Sequence, residues 1–255
     1  MTRPTPLPRP GMGGRIIRLQ SVASTNDVGK RLLRDGEPHG TVVVAAEQTQ
    51  GRGQRGRRWV SPPGGLWASL LLRPHGMSVA QAGLLNLAAA VAAAEAVSSV
   101  CRAATRVKWP NDLLVSGRKV GGVLVETSAT AGTTKWAVIG IGVNANFHLD
   151  VLPRRLRTTT TSLRHETGHT VPLDALLAEI RTRVGILVEL LETGEDEQIL
   201  ALWRALDSTP GREVRPARGG GWHGRAAGID SWGRLVVGIG KRVTHLPTSR
   251  GVVIE

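Results

Sequence analysis

The stretch Gly51-Arg52-Gly53-Gln54-Arg55-Gly56-Arg57-Arg58-Trp59 sets three glycines and four arginines within nine residues. It comes shortly after Thr41-Val42-Val43-Val44-Ala45-Ala46, an apolar and largely β-branched run of buried-strand length. The nonapeptide therefore reads as a loop leaving a strand end. Glycine permits close backbone approach and positive φ. Arginine stays charged at any working pH and offers a planar fork to carboxylate or phosphate. Four such groups with no acid among them repel one another, and a dense anion relieves that. ATP phosphates and a carboxylate are the candidate anions. The same composition also fits a solvated basic turn or an RGG-like tract touching nucleic acid. A Walker A loop is excluded, because the closing Gly-Lys-Ser/Thr is missing.

At 255 residues the chain can hold one large domain and a small one. A single cysteine, Cys101, excludes a disulfide framework and fits a reducing, cytoplasmic setting. It lies in an Ala/Val-rich helical pattern, as a packed thiol does. The net charge of +13 favours anionic ligands. Outside the loop the basic residues scatter singly, so they outline no nucleic-acid face. Aromatic side chains other than tryptophan are nearly absent as well, with no Tyr and one Phe, Phe147. No uninterrupted apolar run is of membrane-spanning length. Residues 1–14 are rich in Pro, Gly and Arg and lack a secretory h-region, so they read as a disordered tail. That tail leaves no room for a helix-turn-helix ahead of the first strand.

Residues 15–20 read as a strand. A helix then runs from Ser24 or Thr25 through Val28, Leu32 and Leu33 to a stop at Gly36. Ser24-Thr25-Asn26 either caps that helix or forms a hydrogen-bonding cup for a neutral polar ligand. A strand at 66–72 precedes a long Ala/Leu helix at 79–100. The next strand ends at Lys108-Trp109-Pro110-Asn111-Asp112, because Pro110 cannot donate to a ladder. A hairpin spans 113–127, and its Gly121-Gly122 pair signals the close approach of a ligand or another backbone. The next strand covers 136–144, and helices cover 173–191 and 196–206. Composition changes at Asp207-Ser208-Thr209-Pro210-Gly211. Short strands at 213–215, 224–229, 235–237 and 251–254, with a hairpin turn at 230–233, predict a small β-barrel.

In this order the pieces resemble a biotin–protein ligase over residues 15–255. The resemblance rests on Ser24-Thr25-Asn26, Glu47-Gln48-Thr49, the Gly/Arg loop and Lys108-Trp109-Pro110-Asn111-Asp112. Arg118-Lys119-Val120-Gly121-Gly122-Val123-Leu124-Val125-Glu126, Gly140-Ile141-Gly142-Val143-Asn144 and Thr161-Ser162-Leu163 extend it, as do Gly228-Ile229-Asp230 and Gly233-Arg234-Leu235. It implies an α/β (α+β) fold: a mixed-sheet catalytic domain at 15–207 and an SH3-like barrel at 208–255. It implies a ligase that turns biotin and MgATP into biotinoyl-5′-AMP and pyrophosphate. The acyl group then passes to a lysine of a biotin carboxyl carrier protein domain. The resemblance is to the monofunctional group, without a DNA-binding domain, acting as a monomer or weak homodimer away from DNA and membrane.

The first half-reaction joins two anions, so it calls for fixed cations more than for acid–base groups. By resemblance Lys119 and Arg52 are catalytic. Biotin falls to Ser24, Thr25, Asn26, Gln48, Arg52, Gly53, Gln54, Lys119 and Gly122. The nucleotide falls to Arg55, Arg57, Trp59, Lys108, Asn111 and Asn144, with Trp59 as an adenine-stacking face. Asp112 is the candidate Mg²⁺ ligand, or the start of an Asx turn. The family usually has arginine where this chain has Gln54, and loss of that arginine is associated with leakage of the adenylate. A lipoate or octanoyl transferase of the same fold class, and a nucleic-acid module, are the competing readings.

Overall fold

The computed structural model describes residues 12–217, 221–248 and 251–255. Strand β1 (Ile16–Val22) and strand β2 (Val42–Gln48) pair in parallel, joined through helix α1 (Thr25–Arg34). Strand β3 (Leu66–Leu72) is followed by helix α2 (Val79–Cys101), β4 (Thr105–Lys108), β5 (Asp112–Val115), β6 (Arg118–Thr130) and β7 (Thr133–Val143). These seven strands form one mixed sheet in the order β1-β2-β3-β7-β6-β5-β4. Helices α3 (Leu163–Thr167), α4 (Leu173–Thr193) and α5 (Asp196–Leu206) complete this part of the chain.

The sheet is covered on both faces. Leu33 of α1 packs with Val43, Leu71 and Val138 on one side. On the other, α2 lies against the sheet and beneath α4 and α5. Helix α2 starts with a capping box in which Ser78 and Gln81 satisfy each other's backbone N–H. By length and composition alone α2 would be apolar enough to cross a membrane, although Gln81, Asn86, Glu95 and Ser98 interrupt its apolar run. Its apolar surface is instead covered by the protein's own sheet and helices, which explains an alanine run that is apolar on most faces.

Strands β8 (Glu213–Pro216), β9 (Gly224–Ile229), β10 (Leu235–Ile239), β11 (Arg242–Leu246) and β12 (Val252–Ile254) form a second, antiparallel sheet. Its order is β11-β10-β9-β8-β12. The barrel expectation needs correction: β11 and β12 are the two edges, and no pairing closes the sheet among the described residues. Strand β12 has only three residues, all paired with β8. Strand β11 was not foreseen, because its arginine, threonine and histidine hide the alternation. Val214, Ala226, Leu235 and Val237 join the same apolar cluster as α2 and the large sheet. Trp109 ties the two sheets together: its N–H donates to Thr209 Oγ1 at 2.8 Å and its Nε1 to the Gly233 carbonyl at 3.1 Å.

Of the predicted N-terminal tail, residues 1–11 lie outside the described residues. Met12 is buried, and Gly14 offers its carbonyl to Arg181 at 2.5 Å, so 12–14 are not tail but part of the packed chain.

Candidate active site

A cavity of about 380 Å³ opens over the middle of the large sheet. Its size suits a small-molecule ligand. Every site residue expected from sequence borders it: Ser24, Thr25, Asn26, Gln48, Arg52, Gly53, Gln54, Arg55, Arg57, Trp59, Lys108, Asn111, Asp112, Lys119, Gly122 and Asn144. They come from six separate segments of chain. The sequence reading missed part of the wall, notably Ile141, Leu152, Leu156 and Val252 to Ile254. Those are plain apolar residues with no local signal of a site.

The polar end is built at the start of α1. Ser24 holds the N-cap backbone position, yet its side chain makes no capping hydrogen bond. Side-chain capping by Ser24, the first of the two alternatives, is therefore absent. Ser24, Thr25 and Asn26 are all buried. The Thr25 N–H donates to Gln48 Oε1 at 2.9 Å, and Gln48 Nε2 donates to Ser61 Oγ at 2.9 Å. Gln48, at the end of β2, is thereby held in one orientation beside α1.

The Gly/Arg loop folds back on itself. Gly53 N–H donates to the Arg57 carbonyl at 2.7 Å, and Trp59 N–H to the Gly51 carbonyl at 2.8 Å. Arg55 sits in the left-handed region at φ 58, followed by Gly56 at φ 70. A left-handed arginine is uncommon and turns the chain sharply here. The loop's mutual repulsion is partly answered from elsewhere in the chain. Asp27 of α1 takes both Arg52 nitrogens, Nη1 to Oδ2 and Nη2 to Oδ1, each at 2.6 Å. That fork holds the Asp27 carboxyl down at about 2. Burial, then the charge of Arg57, lowers Arg55 from its usual value.

Lys119 reaches the cavity because of a bulge. Leu113 pairs with Gly121 and Leu114 with Lys119, which leaves Val120 as an extra residue in β6. The side-chain period of a strand is two, so one added residue moves Lys119 to the Asp112 face. Lys119 Nζ donates to Asp112 Oδ1. It also stands over the Trp59 ring, 5.1 Å from the centroid. Gly121 is the close approach anticipated from sequence: a Cβ there would lie 2.7 Å from the Gly142 carbonyl. Gly122 faces the cavity instead.

Asn111 and Asn144 are buried and donate to backbone carbonyls, Asn111 to Val123 and Asn144 to Thr161 at 2.9 Å. Both therefore hold the wall as well as border it. Lys108 Nζ donates to the Ile254 carbonyl at 3.4 Å and lies 4.0 Å from Asp112. Burial pushes its ammonium down, against the pull of Asp112. Asp112 thus has two ammonium neighbours. No group of three or more His, Cys, Asp or Glu side chains suited to a metal occurs among the described residues. Asp112, the candidate magnesium ligand, has no second carboxylate beside it at the cavity among the described residues. In all, Arg52, Arg55, Arg57, Arg58, Lys108 and Lys119 surround a cavity whose one lining carboxylate, among the described residues, is Asp112.

Such an enclosure, which brings six cations and a neutral polar cup to one cavity, suits an anionic ligand carrying a neutral polar head. The sequence matches the Biotin/lipoate A/B protein ligase family over residues 18–144. It is 36% identical over 201 residues to the biotin–[acetyl-CoA-carboxylase] ligase of Paracoccus denitrificans, covering 76% of this chain and 82% of that one. The chain belongs to the biotin/lipoate protein ligase family. Within that family it is also 33% identical over 228 residues to the bifunctional ligase/repressor BirA of Bacillus spizizenii, covering 89% of this chain and 70% of the relative. A solved biotin protein ligase from Aquifex aeolicus, in complex with biotin and ATP, superimposes at a TM-score of 0.79. Identity to it is 26%, over 94% of this chain and 99% of that one.

Proposed function

We propose that this enzyme is a biotin–protein ligase. It activates biotin with MgATP and passes the acyl group to a lysine of a biotin carboxyl carrier domain. The observation that carries this reading is the convergence of all sixteen residues above on one cavity whose lining divides into cations and neutral polar groups.

The chemistry follows from that division. A biotin carboxylate oxygen attacks the α-phosphorus of ATP, the bond to the bridging oxygen breaks, and pyrophosphate leaves. Both reactants are anions, so their approach is opposed until fixed cations offset the charge. Lys119 and Arg52 supply that charge, while Gly53 and Gln54 lie along the acyl chain. In the second step a carrier lysine amine attacks the acyl carbon, the mixed anhydride C–O bond breaks, AMP leaves and the amine loses a proton. Trp59, Arg55, Arg57, Lys108, Asn111 and Asn144 serve the nucleotide. Thr25, Asn26, Ser24 and Gln48 serve the urea ring, whose N–H and C=O groups need neutral partners. Magnesium comes with ATP on its phosphates and shields their charge. A plain octanoyl chain has no use for this polar cup, which speaks against the lipoate or octanoate reading. The enzyme acts in the cytoplasm, as a monomer or weak homodimer, without DNA.

The deciding experiment is mass spectrometry of a carrier-domain fragment incubated with the enzyme, biotin and ATP. One biotinoyl group on one lysine is expected, and its absence with both substrates present would refute the reading.

A further inference from the structure

Behind the cup lie three polar side chains, Ser69, Glu126 and Lys30, that do not themselves border the cavity. Ser69, in the middle of β3, has no exposed surface. Its Oγ lies 2.6 Å from Asn26 Oδ1 and 2.8 Å from Thr25 Oγ1. Asn26 Nδ2 lies 2.8 Å from Glu126 Oε2, and the other Glu126 oxygen accepts from Lys30 Nζ at 2.8 Å. Gly140 leaves the space for this arrangement, since a Cβ there would sit 2.3 Å from Asn26 Oδ1.

Proton counting gives this relay of contacts a direction. The Glu126 carboxylate, paired with Lys30, only accepts. The Asn26 amide must then turn Nδ2 to Glu126 and Oδ1 to Ser69, an assignment made by the network. Oδ1 also only accepts, so the one Ser69 proton goes to Asn26. Ser69 Oγ is left to accept from Thr25. The competing contact of Thr25 Oγ1, to Gln48 Oε1, is longer at 3.1 Å, and that oxygen already accepts from the Thr25 N–H at 2.9 Å. By either route the Thr25 hydroxyl proton is engaged inside the protein, and lone pairs are what Thr25 has left for a ligand.

We propose that Ser69 and Glu126 are positioning residues that fix the donor–acceptor polarity of the cup, so that Thr25 receives an N–H of the ligand. This rests on the biotin reading, whose urea ring brings N–H donors. Without Ser69 the Thr25 hydroxyl keeps only its longer contact, to Gln48 Oε1 at 3.1 Å, and without the Glu126 carboxylate the Asn26 amide loses the acceptor that sets its orientation, so ligand binding must first select the correct one.

The test is calorimetric titration of the full chain with biotin, with desthiobiotin (same urea ring, no sulfur) and with ATP. Ser69→Ala is expected to weaken biotin and desthiobiotin alike by about tenfold, the worth of one buried hydrogen bond, and to leave ATP affinity within about twofold. In a Thr25→Val background, where the hydroxyl is already gone, Ser69→Ala is expected to add less than about threefold, because coupled residues are not additive. Glu126→Gln offers an amide that can turn its N–H toward Asn26, so it should weaken the same two ligands, and it carries the test if Ser69→Ala does not fold. Biotin affinity unchanged in both variants, full additivity with Thr25→Val, or an equal loss of ATP affinity would each overturn the relay. Failure of the parent protein to bind biotin would overturn the functional reading and the relay with it.

Discussion

Lys119 stands over the indole of Trp59, its Nζ 5.1 Å from the ring centroid, and donates to Asp112 from the same position. A cation over an aromatic face gains about 0.5–2 kcal/mol, more as it is desolvated. The ammonium is therefore fixed by a ring and a carboxylate before any anion arrives. Charge held in place ahead of reaction is what stabilises a transition state between anions.

Lys119→Ala should lower biotin-dependent pyrophosphate release by at least about 100-fold, in line with ~2–4 kcal/mol for one preorganised group. The thermal midpoint should stay near that of the parent, because Lys119 is partly exposed at a cavity wall. Near-normal pyrophosphate release would remove Lys119 from the mechanism.

Gln54 lies in the short turn Gln54–Gly56 and borders the cavity without a charge. A charge-assisted hydrogen bond is roughly twice as strong as a neutral one. Gln54→Arg should therefore slow dissociation of biotinoyl-AMP severalfold, by about 1 kcal/mol. Stopped-flow displacement of the adenylate measures this. An arginine variant that releases the adenylate as fast as the parent would make Gln54 a neutral replacement.

The C-terminal strand reaches the site, although nothing in its short apolar run marks it as lining. Val252, Val253 and Ile254 border the cavity, and Lys108 donates to the Ile254 carbonyl. Ending the chain at Gly251 should raise the KM for ATP about tenfold or more by freeing Lys108 and opening the wall. Biotin binding measured without ATP should change far less, because the cup on α1 lies apart from that strand. Steady-state kinetics alongside biotin titration separates the two effects, and equal losses for both ligands would point to a general collapse.

The Asp27–Arg52 pair has a defined pH window. Its hydrogen bonds to Arg52 hold the Asp27 carboxyl down at about 2, below the usual carboxylate range. A depressed carboxylate stabilises fully above its unfolded pKa, and the contribution is lost as pH falls through the folded one. The pair should thus be intact from pH 5 to 8 and fail only in strong acid. Asp27→Asn removes the carboxylate charge at neutral pH. With the Asp27 side chain 42% exposed, solvent screening limits the effect to less than about 1 kcal/mol. Hydrogen exchange in residues 51–59 should quicken by less than about fivefold in this variant, and no change would mean that Asp27 does not hold the loop.

Most of the large elements, and most of the charged and polar residues that border the cavity, could be read from the chain because their signals are local, whereas the apolar wall at Leu152, Leu156 and Val252 to Ile254 could not. A Gly/Arg loop, a proline closing a strand, a paired glycine in a hairpin and a helical alanine run each act within a few residues. Partnership between distant segments left no such trace. Arg52 finds its acid in Asp27, on the preceding helix, and Ser69 looks in sequence like any small residue in an apolar strand. The bulge at Val120 decides which way Lys119 faces, and a one-residue slip there would turn the ammonium to the other face. Among the described residues the second sheet is left with two edges, its three-residue last strand pairing on one side only. Local chemistry determines which segments become helix, strand or anion-binding loop. Which of their side chains meet, and with what proton and charge on each, is decided only when packing brings residues far apart in sequence within hydrogen-bonding distance.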